Sequence, residues 1–271
     1  MSDLNFHYAY QLCDVASREN KPRICGDDRT LLSKKSLVSF LKSIKFCVEN
    51  IPESKHYISI FNDRSTNELV RFVYNCIEKY KSNNIFIEFT NTSEPGILNS
   101  IKQCYLWLQS NGKDLVYQVQ DDYLFYKTAI YEMYEVYNQI KLETSFEIIV
   151  SPFNDFWLWL AVYRNSSTPR TVIVGKNRYW IQYYDMSCSF MTSHNQFSKH
   201  WDLYHYFFDL LKNKDPNLEN HSLNYMLTKR GILGLIPINS LAFHLQTELE
   251  EDPHIDWRKL WETIDVSLPT N

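Results

Sequence analysis

The sequence predicts an α/β protein with a mainly parallel sheet flanked by helices on both faces. In the first half of the chain, short apolar runs alternate with segments in which apolar residues recur at helical spacing. The apolar runs stop at turn-forming residues, which is typical of buried strands that end in loops. Helical crossovers join parallel strands, so the carboxyl ends of these strands should meet at one edge of the sheet, where ligands bind.

The elements of the first half follow from the spacing of their apolar residues. A helix is predicted over 34–48, and Ser33 is available as its N-cap. Three further units share the order of a strand followed by an amphipathic helix: 56–63 with 66–80, 84–91 with 97–108, and 115–122 with 126–140.

The second half of the chain is less regular. Its predicted elements are a strand at 146–153, a hairpin around the turn at Gly175–Asn177, and helices at 196–212, at 217–230 and after Pro253. We expect a single domain, in which residues 1–150 form the regular α/β half and residues 151–271 form the remainder.

The composition argues against several classes of protein. With 28 basic and 32 acidic residues the formal charge is -4, and no dense run of Lys and Arg could neutralise nucleic-acid phosphates. The N-terminus lacks the features of a signal peptide, and no apolar run is long enough to cross a bilayer. The six cysteines are scattered without a CxxC pair, which favours reduced thiols. These features predict a cytoplasmic protein with no nucleic-acid partner and no transmembrane segment.

Polar side chains follow three of the predicted strands, at Asn62-Asp63, at 92–96 and at Gln120-Asp121-Asp122. By itself the Asp121-Asp122 pair is typical of a strand end that precedes a helix, because the helix dipole stabilises negative charge there. Together with the other two features at one sheet edge, the pair could hold a divalent cation that keeps waters and phosphates in its shell. Adjacent residues on an extended strand point to opposite sides, so we expect one carboxylate on the cation and the other on a hydroxyl such as a ribose.

Three segments resemble the nucleotide-sugar-dependent glycosyltransferases of the GT-A fold, over roughly residues 30–140. They are HYISIFNDRST, EPGILNSIKQCYLWL and LVYQVQDDYLFYKTAIYEMY. The last is similar to a form of the DxD metal motif in sugar transferases of bacterial and large-virus type, although Gln120 stands where related sequences often carry an acid. The resemblance implies a GT-A, Rossmann-like fold, with residues 1–150 binding a nucleotide-sugar and 151–271 forming the acceptor side and the C-terminal region.

The resemblance also implies roles for single residues in the first half. Asp63 would meet the base or ribose of the donor, and Asp121 would lie near its ribose or sugar. Gly96 and Asn99 would bind the donor at the start of the helix behind the diphosphate. Asp122 would be the principal ligand of Mn²⁺ or Mg²⁺.

In the second half, His244 is the expected additional metal ligand, with His194 as the other candidate. The His244 segment NSLAFHLQTE, followed by Asp256-Trp257, is similar to a segment of related transferases that supplies such a histidine. The resemblance thus implies a metal site shared between the two halves of the chain.

The acceptor hydroxyl of an inverting transferase needs a general base, for which Asp185 is the preferred candidate and Asp155 and Asp202 are alternatives. Retaining transferases lack a comparable base, so the stereochemical outcome stays open. Arg178, and also Arg29, could contact the diphosphate, since a guanidinium pairs bidentately with phosphate oxygens.

The resulting hypothesis is an enzyme that moves a sugar from a UDP-, GDP- or dTDP-linked donor to a hydroxyl of a glycan or glycoconjugate. A nucleotidyltransferase of similar fold is an alternative, although it usually needs a Gly-rich phosphate loop and the chain has only 6 glycines. A non-catalytic nucleotide or sugar-binding protein is another, because fold does not determine function.

Overall fold

The computed structural model describes residues 4–15, 28–154, 171–183, 189–212, 227, 229–245 and 255–267. Their strands form a nine-stranded sheet and a separate two-stranded ribbon. The sheet contains β1 (Asn5–Leu12), β2 (Lys55–Asn62), β3 (Ile85–Asn91), β4 (Leu115–Gln120), β6 (Ile148–Val150), β7 (Val172–Val174), β8 (Tyr179–Gln182), β9 (Phe190–Ser193) and β10 (Leu233–Pro237). The ribbon pairs β5 (Tyr123–Phe125) with β11 (Ala242–His244).

The strand order in the sheet is β3-β2-β1-β4-β9-β6-β10-β8-β7. Strands β3, β2, β1 and β4 are all parallel, and β6 is parallel to β10. Strands β9 and β8 run antiparallel to their neighbours. The sheet is therefore mixed but mostly parallel, which confirms the predicted fold class.

Helices cover both faces of this sheet. They are α1 (Arg29–Asn50), α2 (Asn67–Tyr80), α3 (Ile97–Asn111), α4 (Ala129–Glu143), α5 (His194–Lys199), α6 (Trp201–Lys212) and α7 (Trp257–Thr263). One core lies between the sheet and α1, α2 and α4, and a second lies between the sheet and α3, α5 and α6. None of the helices in the described part of the chain is long and apolar enough to cross a membrane.

Strand β1 is the central parallel strand, and no element is predicted for it above. Its sequence, NFHYAYQL, mixes aromatic and polar residues, and almost all of its side chains are buried because it is covered on both faces. It pairs in register with β2 and β4, so that Leu12 lies opposite Asn62 and Gln11 opposite Gln120. Asn62 in turn lies opposite Asn91 of β3, which brings the four strand ends to one edge.

Helix α1 begins at Arg29 rather than at residue 34, so the prediction of Ser33 as its N-cap is wrong. Asp28 is the N-cap, and its carboxylate accepts a hydrogen bond from the Leu31 N–H at 2.9 Å. A carboxylate at this position also stabilises the positive end of the helix dipole. Ser33 instead lies within the helix with its side chain buried.

The segment after β4 differs from the prediction in a way that matters for the site. The strand ends at Gln120, Asp121 and Asp122 form a turn, and the chain continues as β5 before α4 begins at Ala129. Three residues are too few to show a strand period in the sequence.

Other predicted elements are confirmed, namely the strand–helix units of β2 with α2 and β3 with α3 and the hairpin of β7 with β8. The predicted helix at 196–212 is divided at His200 into α5 and α6. Most of the predicted helix at 217–230 lies outside the described residues.

His56 gives this fold a pH dependence that can be measured. Its buried imidazole lies between Tyr8 and Ser54, with Nδ1 2.8 Å from the Tyr8 hydroxyl and Nε2 2.9 Å from the Ser54 hydroxyl. Burial lowers the pKa of His56 from its ordinary value of 6.5 to about 3. Between these values the unfolded chain binds a proton that the folded chain does not, so stability is lost as the pH falls.

We expect His56 to contribute a loss of up to about 1.4 kcal/mol of unfolding free energy per pH unit below its ordinary pKa. The His56→Gln variant removes this contribution, so its unfolding free energy should depend less steeply on pH. Urea denaturation of both proteins between about pH 7 and about pH 5 measures the two slopes. If the unfolding free energy had the same slope against pH in both proteins, this would contradict the presence of a buried, neutral His56.

Candidate functional site

A cleft of about 420 Å³ lies at the carboxyl ends of β1, β2 and β4, beside the N-termini of α1 and α3. We call it the strand-end cleft. Its lining residues are Gln11, Cys13, Val15, Arg29, Asp63, Arg64, Gly96, Ile97, Gln120, Asp121 and Asp122. The polar features predicted to converge at one edge of the sheet therefore do so.

The carboxylate of Asp121 is held from inside the protein. Its Oδ2 atom accepts hydrogen bonds from the Cys13 N–H at 2.8 Å and from the Ser33 hydroxyl at 2.9 Å. Burial and the neighbouring charge of Asp122 raise the pKa of Asp121 to about 6, against the opposing effect of the hydrogen bonds and of Arg29. Asp121 thus ties the end of β1 to helix α1, and proximity to a second carboxylate makes its ionisation costly.

Asp122 lines the cleft and lies beside His244, which the β5–β11 ribbon positions next to it and which does not itself line the cleft. Antiparallel pairing places His244 opposite Tyr123, and the Leu245 N–H donates to the Asp122 carbonyl at 2.8 Å. The imidazole stacks on the Tyr123 ring with centroids 4.6 Å apart. Its Nε2 atom then lies 3.4 Å from Oδ2 of Asp122. A carboxylate oxygen and an imidazole nitrogen are therefore presented together.

Asp63 and Gly96 join two loops of the cleft. The buried Asp63 carboxylate accepts from the Gly96 N–H at 2.9 Å, while the Asp63 N–H donates to the Leu12 carbonyl at 2.9 Å. Gly96 has φ +111, a backbone conformation that residues other than glycine rarely adopt. It is also the N-cap of α3 and supplies no capping side chain. The N-terminus of α3 therefore lies beside the cleft, with the Asp63 carboxylate on the N–H of its N-cap residue.

Two arginines face the carboxylates of the cleft. Arg29 donates to the Cys13 carbonyl at 3.1 Å, and its buried Nε has no hydrogen-bond partner among the described residues. Arg64 has φ +58, and its Nε donates to Oδ1 of Asp63 at 2.9 Å. Counting only charged side chains, three lining carboxylates face two guanidinium groups. A bound cation would offset the remaining negative charge.

Gln11 is a lining residue that the sequence patterns above do not identify. Its side chain is buried, its Nε2 lies 3.5 Å from the Ile97 carbonyl, and its Oε1 has no partner among the described residues. Recognising NFHYAYQL as a strand would have placed Gln11 at the same edge as Asp63 and Asp121. Asp14, also unpredicted, accepts from Thr30 and Thr66 and so ties the end of β1 to α1 and α2.

The structure does not bring every predicted residue to the strand-end cleft. Asn99 is in the first turn of α3, but its side chain donates to the Pro95 carbonyl at 3.0 Å and does not line the cleft. Arg178 lies in the β7–β8 hairpin, whose strands are the last two in the strand order of the sheet. There it pairs with Glu132 at 2.5 Å.

Two other residues considered in the sequence also lie elsewhere. His194, at the start of α5, contacts the Gln109 carbonyl, and Asp202 pairs with Arg230 on the exposed face of α6. Asp185 and Asp155 lie outside the described residues.

The residues of the cleft fit a divalent cation that is only partly coordinated by protein. The described residues contain no group of three or more His, Cys, Asp or Glu that could hold a metal ion. Asp122 and His244 nevertheless offer one oxygen and one nitrogen donor side by side. Ions such as Mg²⁺ commonly take one or two protein ligands and complete the shell with waters and substrate phosphates. A nitrogen donor beside a carboxylate suits Mn²⁺ better than Mg²⁺.

No protein-family model matches this sequence, and a search of curated proteins finds no relative. Similar folds do occur among solved structures. One is a UTP-bound UGPase from Acinetobacter baumannii, with 9% identity, coverage of 94% of this chain and 92% of that chain, and a TM-score of 0.47.

Two further structures have folds similar to that of this chain. The inositol-1-phosphate CTP transferase from T. maritima has 11% identity, coverage of 97% of this chain and 96% of that chain, and a TM-score of 0.41. An active-site mutant of LgtC has 10% identity, coverage of 84% of this chain and 72% of that chain, and a TM-score of 0.43. At these identities and TM-scores the likeness is too distant to carry an argument about function.

The contacts of Asp121 with its neighbours predict that two substitutions will change the pKa of Asp121 in opposite directions. Ser33→Ala removes a hydrogen bond that favours the carboxylate, so the pKa of Asp121 should rise above its value of about 6. Asp122→Asn removes a like charge, so the pKa of Asp121 should fall. Carboxyl ¹³C NMR across a pH titration of the metal-free protein measures both changes.

Ser43→Ala is the matched control, because Ser43 is a buried serine of the same helix whose hydroxyl accepts from the Ile130 N–H instead. The titration of Asp121 should be the same in this variant as in the wild type. A shift in the same direction in the Ser33 and Asp122 variants would refute the described arrangement.

Proposed function

We propose that this protein is a glycosyltransferase that moves a sugar from a nucleotide-sugar donor to a hydroxyl of a glycan or glycoconjugate, with the help of Mn²⁺ or Mg²⁺. The observation that carries the proposal is the 3.4 Å approach of Asp122 Oδ2 and His244 Nε2 beside Asp121. Asp122 lines a cleft at the carboxyl ends of parallel strands, where α/β folds bind ligands, and His244 lies beside Asp122. The sequence resemblance to DxD-type sugar transferases points to the same residues.

The donor would occupy the strand-end cleft with its nucleoside near Gln11 and Asp63. Gln11 offers a buried amide oxygen that has no partner among the described residues, and Asp63 offers carboxylate lone pairs to a ribose or base. The diphosphate would lie near Arg29 and the N-terminus of α3, since both favour negative charge. Asp121 would accept from a hydroxyl of the ribose or the sugar.

Asp122 and His244 would hold the cation, whose charge would stabilise the departing nucleoside diphosphate. Neutral His244 keeps a lone pair for this purpose only when its other ring nitrogen carries the proton. The Tyr123 stack and the backbone pairing of β11 orient the plane of the ring within the ribbon before any ligand binds. Such preorganisation avoids the cost of arranging the ligands during the reaction.

In the transfer itself, the bond from the anomeric carbon to the diphosphate oxygen breaks and a bond to the acceptor oxygen forms. The acceptor loses its proton to a base, for which Asp185 stays our candidate if the reaction inverts the anomeric centre. Gln120 lines the cleft as a neutral amide where an acid is frequent in similar sequences. It can donate to a sugar hydroxyl without adding negative charge beside the diphosphate.

A nucleotidyltransferase is the second candidate, and Arg29 is the observation that favours it. Arg29 lies in the cleft beyond the end of the first strand, near the place where such enzymes need a basic residue for triphosphate. The two candidates differ in the bond that breaks, because nucleotidyl transfer releases pyrophosphate from a triphosphate. Their products therefore distinguish them.

We expect a nucleotide-sugar to stabilise the protein, and Mn²⁺ to increase the effect. A ligand at 100 times its Kd adds about 2.7 kcal/mol to the free energy of unfolding. Thermal melting in the presence of UDP-, GDP-, dTDP- and CMP-sugars, with and without Mn²⁺, measures the stabilisation and identifies the donor base. The Asp122→Asn variant should lose the part of the shift that depends on Mn²⁺.

Asp202→Asn is the control for this experiment, because Asp202 is an exposed carboxylate that pairs with Arg230 away from the cleft. It should respond to donor and Mn²⁺ as the wild type does. The absence of any nucleotide-dependent shift in the wild-type protein would remove the support for both transferase candidates.

Activity separates an enzyme from a protein that only binds. We expect slow hydrolysis of the donor by the wild type and a decrease of about a hundredfold or more in Asp122→Ala, since the cation supplies several kcal/mol of charge stabilisation. Chromatography of the released nucleoside diphosphate measures the rate. Pyrophosphate release from a nucleoside triphosphate and a sugar 1-phosphate, without donor hydrolysis, would instead establish the second candidate.

Equal donor hydrolysis by the wild type and Asp122→Ala would exclude Asp122 as a metal ligand. Binding of the donor with no turnover in either protein, with any acceptor glycan tried, would favour the non-catalytic interpretation.

A further inference from the structure

We infer that Trp257, in the C-terminal helix α7, is a positioning residue for His244, an inference that rests on the proposed role of His244 as a cation ligand. Trp257 does not line the strand-end cleft. It acts through the β5–β11 ribbon, whose last residue in β11 is His244. The inference rests on the small size of the ribbon, on the packing of Trp257 against it, and on the contacts between Lys35 of α1 and the end of α7.

The β5–β11 ribbon cannot fix His244 by itself. It has only three residues in each strand, and a two-stranded ribbon is marginally stable in water. Side chains alternate between its two faces, so His244 and Phe243 point to opposite sides. The position of His244 therefore depends on what packs against the face that carries Phe243.

Trp257 provides that packing. Its indole stacks on the Phe243 ring with centroids 5.0 Å apart and planes 20° apart. It also meets the Tyr126 ring edge to face at 5.5 Å, just beyond the end of β5. With only 2% of its surface exposed, Trp257 covers the ribbon as a core residue. A rigid aromatic contact of this kind limits the lateral movement of β11.

Lys35 of helix α1 binds the C-terminal end of α7, the helix that carries Trp257. Its ammonium group donates to the carbonyls of Trp261 at 2.5 Å and Ile264 at 3.0 Å, at the C-terminal end of α7. The same group lies 4.8 Å from the centre of the Trp261 ring. A cation at this end complements the helix dipole. Lys35 is two residues from Ser33, so α1 holds both Asp121 and the segment that supports His244.

The two proposed cation ligands are thus positioned in different ways. Asp122 lies in the turn that follows β4 of the large sheet, whereas His244 lies on a ribbon against which α7 packs. Loss of the Trp257 ring should leave the sheet folded but allow β11 to move, which would weaken the binding of a cation. Removing a group that orients a metal ligand commonly costs about tenfold to about a hundredfold in metal affinity.

The experiment measures binding of Mn²⁺ alone to the full-length protein by the loss of the free Mn²⁺ signal in electron paramagnetic resonance. Each variant is measured well below its own melting temperature. We expect Trp257→Leu to weaken Mn²⁺ binding by about tenfold or more, and the conservative Trp257→Phe to restore most of the affinity. Trp180→Leu is the matched control, because Trp180 is an equally buried tryptophan that lies on β8 of the nine-stranded sheet and not in the ribbon.

Wild-type affinity in Trp257→Leu would overturn the inference, as would an equal loss of affinity in Trp180→Leu. The Asp122→Ala variant tests the cation site separately. If Asp122→Ala binds Mn²⁺ as the wild type does, the proposed metal ligands themselves are wrong. If Asp122→Ala loses the ion and Trp257→Leu keeps it, only the positioning role of Trp257 fails.

Discussion

The structure depends on the pairing of β1 with β2 on one side and β4 on the other, in parallel and in register. Because parallel strands end at the same edge, this pairing alone brings Gln11, Asp63 and Asp121 to one cleft. The hydrogen bond from the Cys13 N–H to Asp121 extends the contact beyond the last strand residue. A register shift by one residue would turn these side chains toward the opposite face of the sheet.

The cleft concentrates negative charge in a place where it is costly. Asp121 and Asp122 are adjacent and buried, and burial together with the charge of Asp122 makes ionisation of Asp121 harder. Backbone N–H groups, Ser33 and two arginines partly compensate for the cost. A site with this residual charge attracts a cation more strongly than a solvated pair of carboxylates does, because burial reduces screening by water. The chemistry proposed for this protein uses that property.

Sequence patterns predict the parts of the site that lie at the ends of regular strands. Asp63, Asp121 and Asp122 follow apolar runs whose strand character is clear, so their convergence follows from topology. No strand is predicted for β1 from the sequence, and Gln11 is therefore missed, although Phe6, Tyr8, Tyr10 and Leu12 alternate with Asn5, His7 and Gln11 at the period of a strand. Arg178 was expected near a phosphate from its chemistry alone, and the strand order that places it beyond β10 is a long-range property. His244 was selected by motif context, but its approach to Asp122 depends on a three-residue strand that no periodicity identifies.

The attachment of α7 to α1 by Lys35 has a thermodynamic consequence. Coupling between two parts of a protein is reciprocal, so a contact that favours cation binding must be favoured by the cation to the same extent. Under the proposed roles of His244 and Trp257, occupation of the cleft would therefore tighten the docking of the C-terminal segment on α1. Helix α7 would then respond to the occupation of a cleft that its own residues do not line.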